Sequence, residues 1–177
     1  MKKTISITLI ILIFLIIYFL QANFFSWFNI AGIKPNLFVV LVLVITLFAG
    51  IKVGLPTSFF LGLFLDLIIA KKVGISSVML SIVSIIGMYL DKNFSKDSKF
   101  TIMLMVALNT FVFEAGSYFF SMIDAVTYIE ILPFLKIVVI EIVFNMILTI
   151  ILYPLIQFLG YKLEEIYKEN NILTRYF

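Results

Sequence analysis

Long apolar runs, separated by short polar or glycine-containing breaks, follow one another along the whole chain. A run of about 20 apolar residues crosses a hydrocarbon core of about 30 Å as an α-helix. The pattern therefore predicts an all-α membrane protein with six transmembrane helices. The predicted spans are approximately 5–20, 37–50, 54–70, 75–90, 100–121 and 133–159. The second run is short for a span, and we expect its flanking residues to complete the crossing.

The breaks between the runs complete the predicted organisation. Residues 23–34 mix aromatic and polar side chains, which is typical of the headgroup boundary. The first run ends in a bulky Leu20 where cleavage of a signal peptide needs a small residue, so we expect an uncleaved span. We divide the chain into a six-span domain, 1–160, and a cytoplasmic tail, 161–177, in which a weak helical pattern indicates a solvated or surface-lying helix.

Composition supports the membrane assignment and limits the chemistry. The 177 residues are 63% hydrophobic and 13% charged, with a mean hydropathy of +1.21, which leaves no room for a soluble domain. Cysteine and histidine are both absent, which excludes disulfides, thiolate chemistry and histidine-dependent catalysis. The sequence also contains no hydrolase, metalloprotease or phosphate-binding motif. We therefore predict a protein that is not an enzyme and that has no cofactor and no metal site.

The distribution of basic residues predicts the orientation in the membrane. Six spans place both termini on one side, and we assign that side to the cytoplasm. Nine of the 13 Lys and Arg residues then lie inside and four outside, in agreement with the positive-inside rule. Because the basic residues lie at loop ends, we attribute them to orientation in the membrane and not to binding of nucleic acid.

The third predicted span has small or acidic residues at every fourth position, which places them on one face of a helix. We call this face the small-residue ridge, and its members are Gly54, Ser58, Gly62, Asp66 and Ala70. Small side chains at this spacing let a second helix approach closely in a membrane. We predict that the ridge docks a partner helix, with Asp66 fixing the register by a hydrogen bond or an ion pair. The alternative is ordinary helix packing.

A second prediction concerns polar residues within three of the spans. In the six-span topology, similar depths in the outer half of the bilayer are expected for four ionisable groups, with two amides deeper. The predicted cluster consists of Asp66, Glu114, Lys136, Glu141, Asn109 and Asn145. We expect Asp66 or Glu141 to pair with Lys136 and at least one acid to be protonated, because three carboxylates cannot share one cation cheaply. Alternatively, each group snorkels or satisfies a neighbouring helix.

Residues 35–90 resemble a known family. The similarity rests on Pro35-Asn36-Leu37 at the start of an apolar helix, on Gly54, and on Phe60-Leu61-Gly62-Leu63 leading to Asp66. Gly74 and a further apolar helix ending near Tyr89 complete it. Together these residues resemble the rod shape-determining protein MreD family over about a third of the chain. The sequence departs from the family pattern at Asn36, where Asp is usual, and at Ser58, where Gly is frequent.

The resemblance implies a non-enzymatic, multi-pass subunit of the bacterial cell-elongation complex in the inner membrane. Such a subunit would bind the bitopic protein MreC, and indirectly MreB, RodA and a transpeptidase, and so help to maintain cell shape and to organise lateral peptidoglycan synthesis. It would contact lipid, would not bind nucleic acid, and could include a second copy of itself in the complex. The resemblance also implies the fold of the substrate-binding subunits of energy-coupling-factor transporters. The alternative function is therefore that of a vitamin-binding transporter subunit, and a pore subunit is a third interpretation.

Overall fold

The computed structural model describes residues 2–68, 74–125 and 131–168, and the chain is almost entirely helical over these ranges. An isolated β-bridge between Ile30 and Ile33 closes a tight turn in the connection that precedes α3. The helices are α1 (Lys2–Ala22), α2 (Phe24–Trp27), α3 (Leu37–Ala49), α4 (Ile51–Ile68), α5 (Ile75–Asn93), α6 (Lys99–Ala125) and α7 (Ile131–Lys168).

Five helices, α1 and α4 to α7, are long and apolar enough to cross a membrane. This confirms the predicted class of an all-α multi-pass membrane protein. The sixth apolar helix, α3, has 13 residues and is about 20 Å long at 1.5 Å per residue. It is therefore shorter than the hydrocarbon core of about 30 Å.

The short helix α3 lies at the centre of the bundle. Every one of its residues is buried, and it packs against α1, α4, α5, α6 and α7. Its sequence, LFVVLVLVITLFA, is apolar on all sides except at Thr46, as expected for a helix with no exposed face. The Thr46 hydroxyl bonds to the carbonyl of Val42 and to the hydroxyl of Ser84 on α5, so the one polar side chain is satisfied.

Three glycines on the surrounding helices allow close approach to α3. A Cβ atom at Gly54 on α4 would overlap Thr46. One at Gly87 on α5 would lie 3.0 Å from a Leu43 methyl group, and one at Gly160 on α7 would lie 2.7 Å from the Phe48 ring. These glycines let three helices pack tightly around α3.

One backbone group at each end of α3 is bonded by side chains from distant parts of the chain. At its start, the backbone N–H of Asn36 donates to Oδ1 of Asn145 on α7 at 2.8 Å. At its end, the carbonyl of Leu47 accepts from Nζ of Lys168 at 2.7 Å and from Nζ of Lys96 at 3.5 Å. Cations at a helix C-terminus also interact favourably with the helix dipole. We refer to the two ends of the bundle as the Asn36 end and the Leu47 end.

At the Leu47 end, the connection between α5 and α6 is held against α7. Lys96 pairs with Glu164, and Lys168 pairs with Asp91 at 3.2 Å. The Tyr161 hydroxyl donates to the Asp97 carboxylate at 2.7 Å, and this bond is the main reason that the pKa of Asp97 lies below its usual value. These contacts join α5 and α6 to the last turns of α7.

The predicted boundary at residue 160 does not coincide with a helix end. Helix α7 continues to Lys168, and Leu163 is buried in the main core. Residues 161–168 therefore form the last turns of α7, with Leu163 packed onto the bundle and Tyr161, Lys162 and Glu165 exposed. The rest of the predicted tail, 169–177, lies outside the described residues.

Replacing Gly54 by Leu should destabilise the protein, because the added side chain overlaps Thr46 in the centre of the bundle. We expect a loss of about 1–3 kcal/mol or more, the usual cost of overpacking a core. Thermal unfolding in detergent measures the effect. Ser121→Leu, which introduces the same side chain at an exposed position on α6, is the control. Equal melting temperatures for the two variants would contradict the close approach of α4 to α3.

Candidate functional site

The small-residue ridge lies inside the protein. Ser58 is fully buried, and Gly54 faces α3. A Cβ atom at Gly62 would overlap the backbone of Ser76 and Ser77 at the start of α5. The ridge thus permits close helix packing, but its partners are helices of the same chain. The predicted docking surface for another protein is wrong for these three residues, because they are already covered. Ala70 lies outside the described residues.

Asp66 holds the N-terminus of α5. Its carboxylate accepts backbone hydrogen bonds from Gly74 at 2.9 Å, Ser76 at 3.0 Å and Ser77 at 3.1 Å. The first N–H groups of a helix have no partner within it, and a carboxylate there also interacts favourably with the helix dipole. Only 1% of Asp66 is exposed. The residue therefore fixes the α4–α5 hairpin, and the predicted contact of Asp66 with a partner helix is wrong.

Lys136 does not join the predicted polar cluster. It lies on an exposed side of α7, whereas Asp66 is satisfied by backbone N–H groups. Within the described ranges, no ion pair links Lys136 to Asp66 or Glu141. The predicted pairing is therefore wrong. Equal depth along two helices does not make two side chains neighbours, because each can point in a different direction around its helix.

Two other members of the predicted cluster are in contact. Glu114 on α6 and Glu141 on α7 are neighbours, with their carboxyl groups facing each other. The side chain of Asn36 reaches Glu114 from the start of α3. Glu141 is 6% exposed, and Glu114 is half-buried. The pair and Asn36 form the polar centre of the Asn36 end.

The amides extend this centre towards the middle of the bundle. Asn145 accepts from the backbone of Asn36 and donates to the Thr110 hydroxyl at 3.0 Å. Asn109 is fully buried, but its Nδ2 donates to the carbonyl of Met105 on its own helix. The structure thus brings Glu114, Glu141 and Asn145 into one network, with Asn109 nearby in sequence and outside its hydrogen bonds.

Sequence reasoning missed two residues of this network, Asn36 and Thr110. Thr110 lies four residues before Glu114, and that spacing places both side chains on one face of α6. Asn36 is the single polar residue that separates Pro35 from Leu37, where the apolar run of α3 begins. Its position indicates a helix start, but only the fold shows that α6 and α7 bring their polar side chains to it.

A cavity of about 400 Å³ adjoins the carboxyl pair at the Asn36 end. Six helices and the connection before α3 contribute to its wall, which is mostly apolar and aromatic. Its lining residues are Tyr18, Gln21, Ala22, Lys34, Pro35, Asn36, Phe38, Leu65, Ser76, Phe113 and Glu141. The described part of the chain holds no group of three or more acidic side chains placed to bind a metal ion.

The fold and the polar centre can now be compared with known proteins. The family model for rod shape-determining protein MreD matches residues 1–163. The chain belongs to this family. The MreD match extends the sequence resemblance from residues 35–90 to α6 and α7, and it includes the carboxyl pair and the amides. Neither the curated proteins nor the solved structures gave a significant match.

Membership of the MreD family establishes the general role of the protein. MreD proteins are rod shape-determining, and the family is structural rather than enzymatic. Together with its five long apolar helices, the match identifies the chain as a multi-pass membrane protein that takes part in determining cell shape.

Asp66→Ala should destabilise the α4–α5 hairpin, because three backbone N–H groups in a buried site lose their acceptor. The expected cost is about 1–3 kcal/mol, measured as a lower melting temperature in detergent. Asp66→Asn retains one acceptor oxygen, so its melting temperature should lie between those of Asp66→Ala and the unsubstituted protein. Glu165→Ala, at an exposed position on α7, is the control. If Asp66→Ala and the control had the same melting temperature, the capping role would be refuted.

Proposed function

We propose that this protein is a non-enzymatic scaffold of the cell-elongation complex in the bacterial inner membrane. In this role both termini face the cytoplasm, and the bundle binds an MreC-like bitopic protein. Through that partner it connects cytoplasmic MreB with RodA and a transpeptidase, and so helps to organise lateral peptidoglycan synthesis. The observation that carries the proposal is the MreD family match over residues 1–163.

The architecture supports a positioning role. Helix α3 ties five helices together, and side chains from α7 and from the α5–α6 connection hold its ends. A bundle braced in this way presents its outer surface in a fixed arrangement. A scaffold needs such rigidity, because it must hold its partners at defined relative positions.

Since the small-residue ridge is covered, the partner helix must bind elsewhere, and we place it between α1 and α4. Helix α1 packs through a narrow stripe formed by Ser6, Ile10 and Phe14, and the rest of its surface is largely exposed. At the Leu47 end, a cavity of about 420 Å³ separates α1 from α4. Its lining residues are Ile7, Ile10, Ile11, Lys52, Val53, Pro56, Thr57, Phe60, Leu61 and Tyr167.

The chemistry of this α1/α4 cavity fits a transmembrane helix. Its wall is almost entirely apolar, and side chains of a third helix could fill it as in other helix-in-groove contacts. The hydroxyl oxygen of Tyr167 is buried there without a partner within the described residues. A polar side chain on the incoming helix would satisfy that hydroxyl.

Affinity purification from native membranes in mild detergent tests the scaffold role. We expect an MreC-like bitopic protein and cell-wall synthases to co-purify with the tagged chain, because the complex is held together by contacts within the membrane. Mass spectrometry identifies the recovered proteins. Recovery of transporter ATPases and a transmembrane coupling subunit would instead support the alternative of a vitamin-binding transporter subunit.

Thr57→Trp tests the docking position, because the larger side chain fills the α1/α4 cavity. Recovery of the MreC-like partner should fall about tenfold, which corresponds to about 1.4 kcal/mol of binding free energy. Ser121→Trp on the exposed surface of α6 is the control and should retain the partner. Undiminished recovery with a folded Thr57→Trp variant would exclude this cavity as the docking position while leaving the scaffold role intact.

A further inference from the structure

The wall of the cavity at the Asn36 end contains one acidic and one basic residue. Glu141 forms part of its wall and neighbours Glu114, so the carboxyl pair lies at one side of the cavity. Lys34, which is exposed, lies on the same wall in the connection before α3. Its ammonium group donates to the Ser26 hydroxyl at 2.9 Å and keeps further donors for another acceptor. The cavity is therefore complementary to a molecule that carries both charges.

Three of the lining side chains have buried oxygens without a hydrogen-bond donor within the described residues. These oxygens are Oε1 of Glu141, Oδ1 of Asn36 and Oε1 of Gln21. Buried polar atoms are almost always paired in native proteins, and an unpaired one is costly. All three are acceptors and belong to residues around one cavity. A ligand that satisfies them must supply several N–H or O–H donors.

The remaining wall favours a small cationic group. Tyr18, Phe38 and Phe113 contribute aromatic rings, which attract cations through their π faces. The volume of about 400 Å³ lies near the lower end of the range for ligand pockets in proteins. A primary ammonium has three N–H donors and a positive charge, whereas a quaternary ammonium has no donor.

We propose that this cavity binds a zwitterion in which a short linker joins a primary ammonium to an anionic group. The ammonium lies against Glu141, Asn36 and Gln21, and the anionic group lies at Lys34. Two sources supply this chemistry: the headgroup of an ethanolamine phospholipid in the surrounding membrane, or a free amino acid. The proposal is independent of the scaffold role, since it concerns the opposite end of the bundle from the α1/α4 cavity.

Binding to the purified full-length protein in detergent tests the proposal on the ligand side. The probes are glycerophosphoethanolamine, alanine and glycerophosphocholine, titrated calorimetrically. Native mass spectrometry of protein from phosphatidylethanolamine-containing nanodiscs measures the retained lipid. We expect glycerophosphoethanolamine or alanine to bind, and the choline compound to bind at least about tenfold more weakly because it lacks N–H donors.

The two sources give different results, and both support the site. Selective retention of phosphatidylethanolamine over phosphatidylglycerol, without alanine binding, identifies a lipid headgroup. Alanine binding without lipid retention identifies a free amino acid. If no ethanolamine compound and no amino acid binds, or if the choline compound binds equally well, the proposal is overturned. These comparisons use the unsubstituted protein and do not depend on the folding of any variant.

Substitutions then locate the binding. Glu141→Gln, and the double variant Glu114→Gln with Glu141→Gln, remove acidic groups while preserving shape. We expect affinity to fall about tenfold or more in the double variant, because a charge-assisted hydrogen bond is lost. Lys34→Gln should weaken the binding of zwitterions but not that of ethanolamine, which has no anionic group. Glu165→Gln, far from the cavity, is the control. Unchanged affinity in the folded double variant would overturn the assignment to this cavity.

Discussion

The structure depends on a helix of only 13 residues, α3, that is buried on every side. A helix whose ends are enclosed by other helices leaves backbone N–H and C=O groups that neither water nor lipid can reach, so the protein must supply partners. Asn145 supplies an acceptor at the start of α3, and Lys96 and Lys168 supply donors at its end. The polar residues at both ends of the bundle, and the extension of α7 beyond the apolar region, follow from this requirement.

The same constraint explains how polar and small residues are arranged in the bundle. In lipid, helices gain little from burying apolar side chains, and tight packing and hydrogen bonds hold them together instead. Glycines on α4, α5 and α7 admit α3, and Asp66 closes the α4–α5 hairpin through backbone bonds. The carboxyl pair of Glu114 and Glu141 is different, because its unpaired oxygen and adjoining cavity serve no evident packing need.

The sequence was sufficient for the helices and for the chemistry of several residues, but not for their partners. Hydropathy located the apolar runs, and four-residue spacing identified Gly54, Gly62 and Asp66 as a contact face. Spacing does not distinguish a helix of the same chain from one of another protein, so the face was assigned to the wrong partner. Similar depth in the membrane likewise predicts an ion pair between Lys136 and acids that its side chain does not contact. The contact of Glu114 with Glu141 depends on how α6 and α7 are rotated, which the pattern of a single helix does not specify.

The central position of α3 has a consequence for how the protein is made. Helix α3 leaves the ribosome second among the apolar helices, whereas Asn145 and Lys168 are synthesised about 100 residues later. Until then the Asn36 N–H lacks its acceptor, and Lys96 is the one of these three side chains that has been synthesised. By contrast, the Asp66 carboxylate that holds the start of α5 is supplied by the preceding helix, α4. The hydrogen bonds from α7 to the two ends of α3 can form only after α7 has been synthesised. The order of synthesis is therefore opposite to the order of structural dependence.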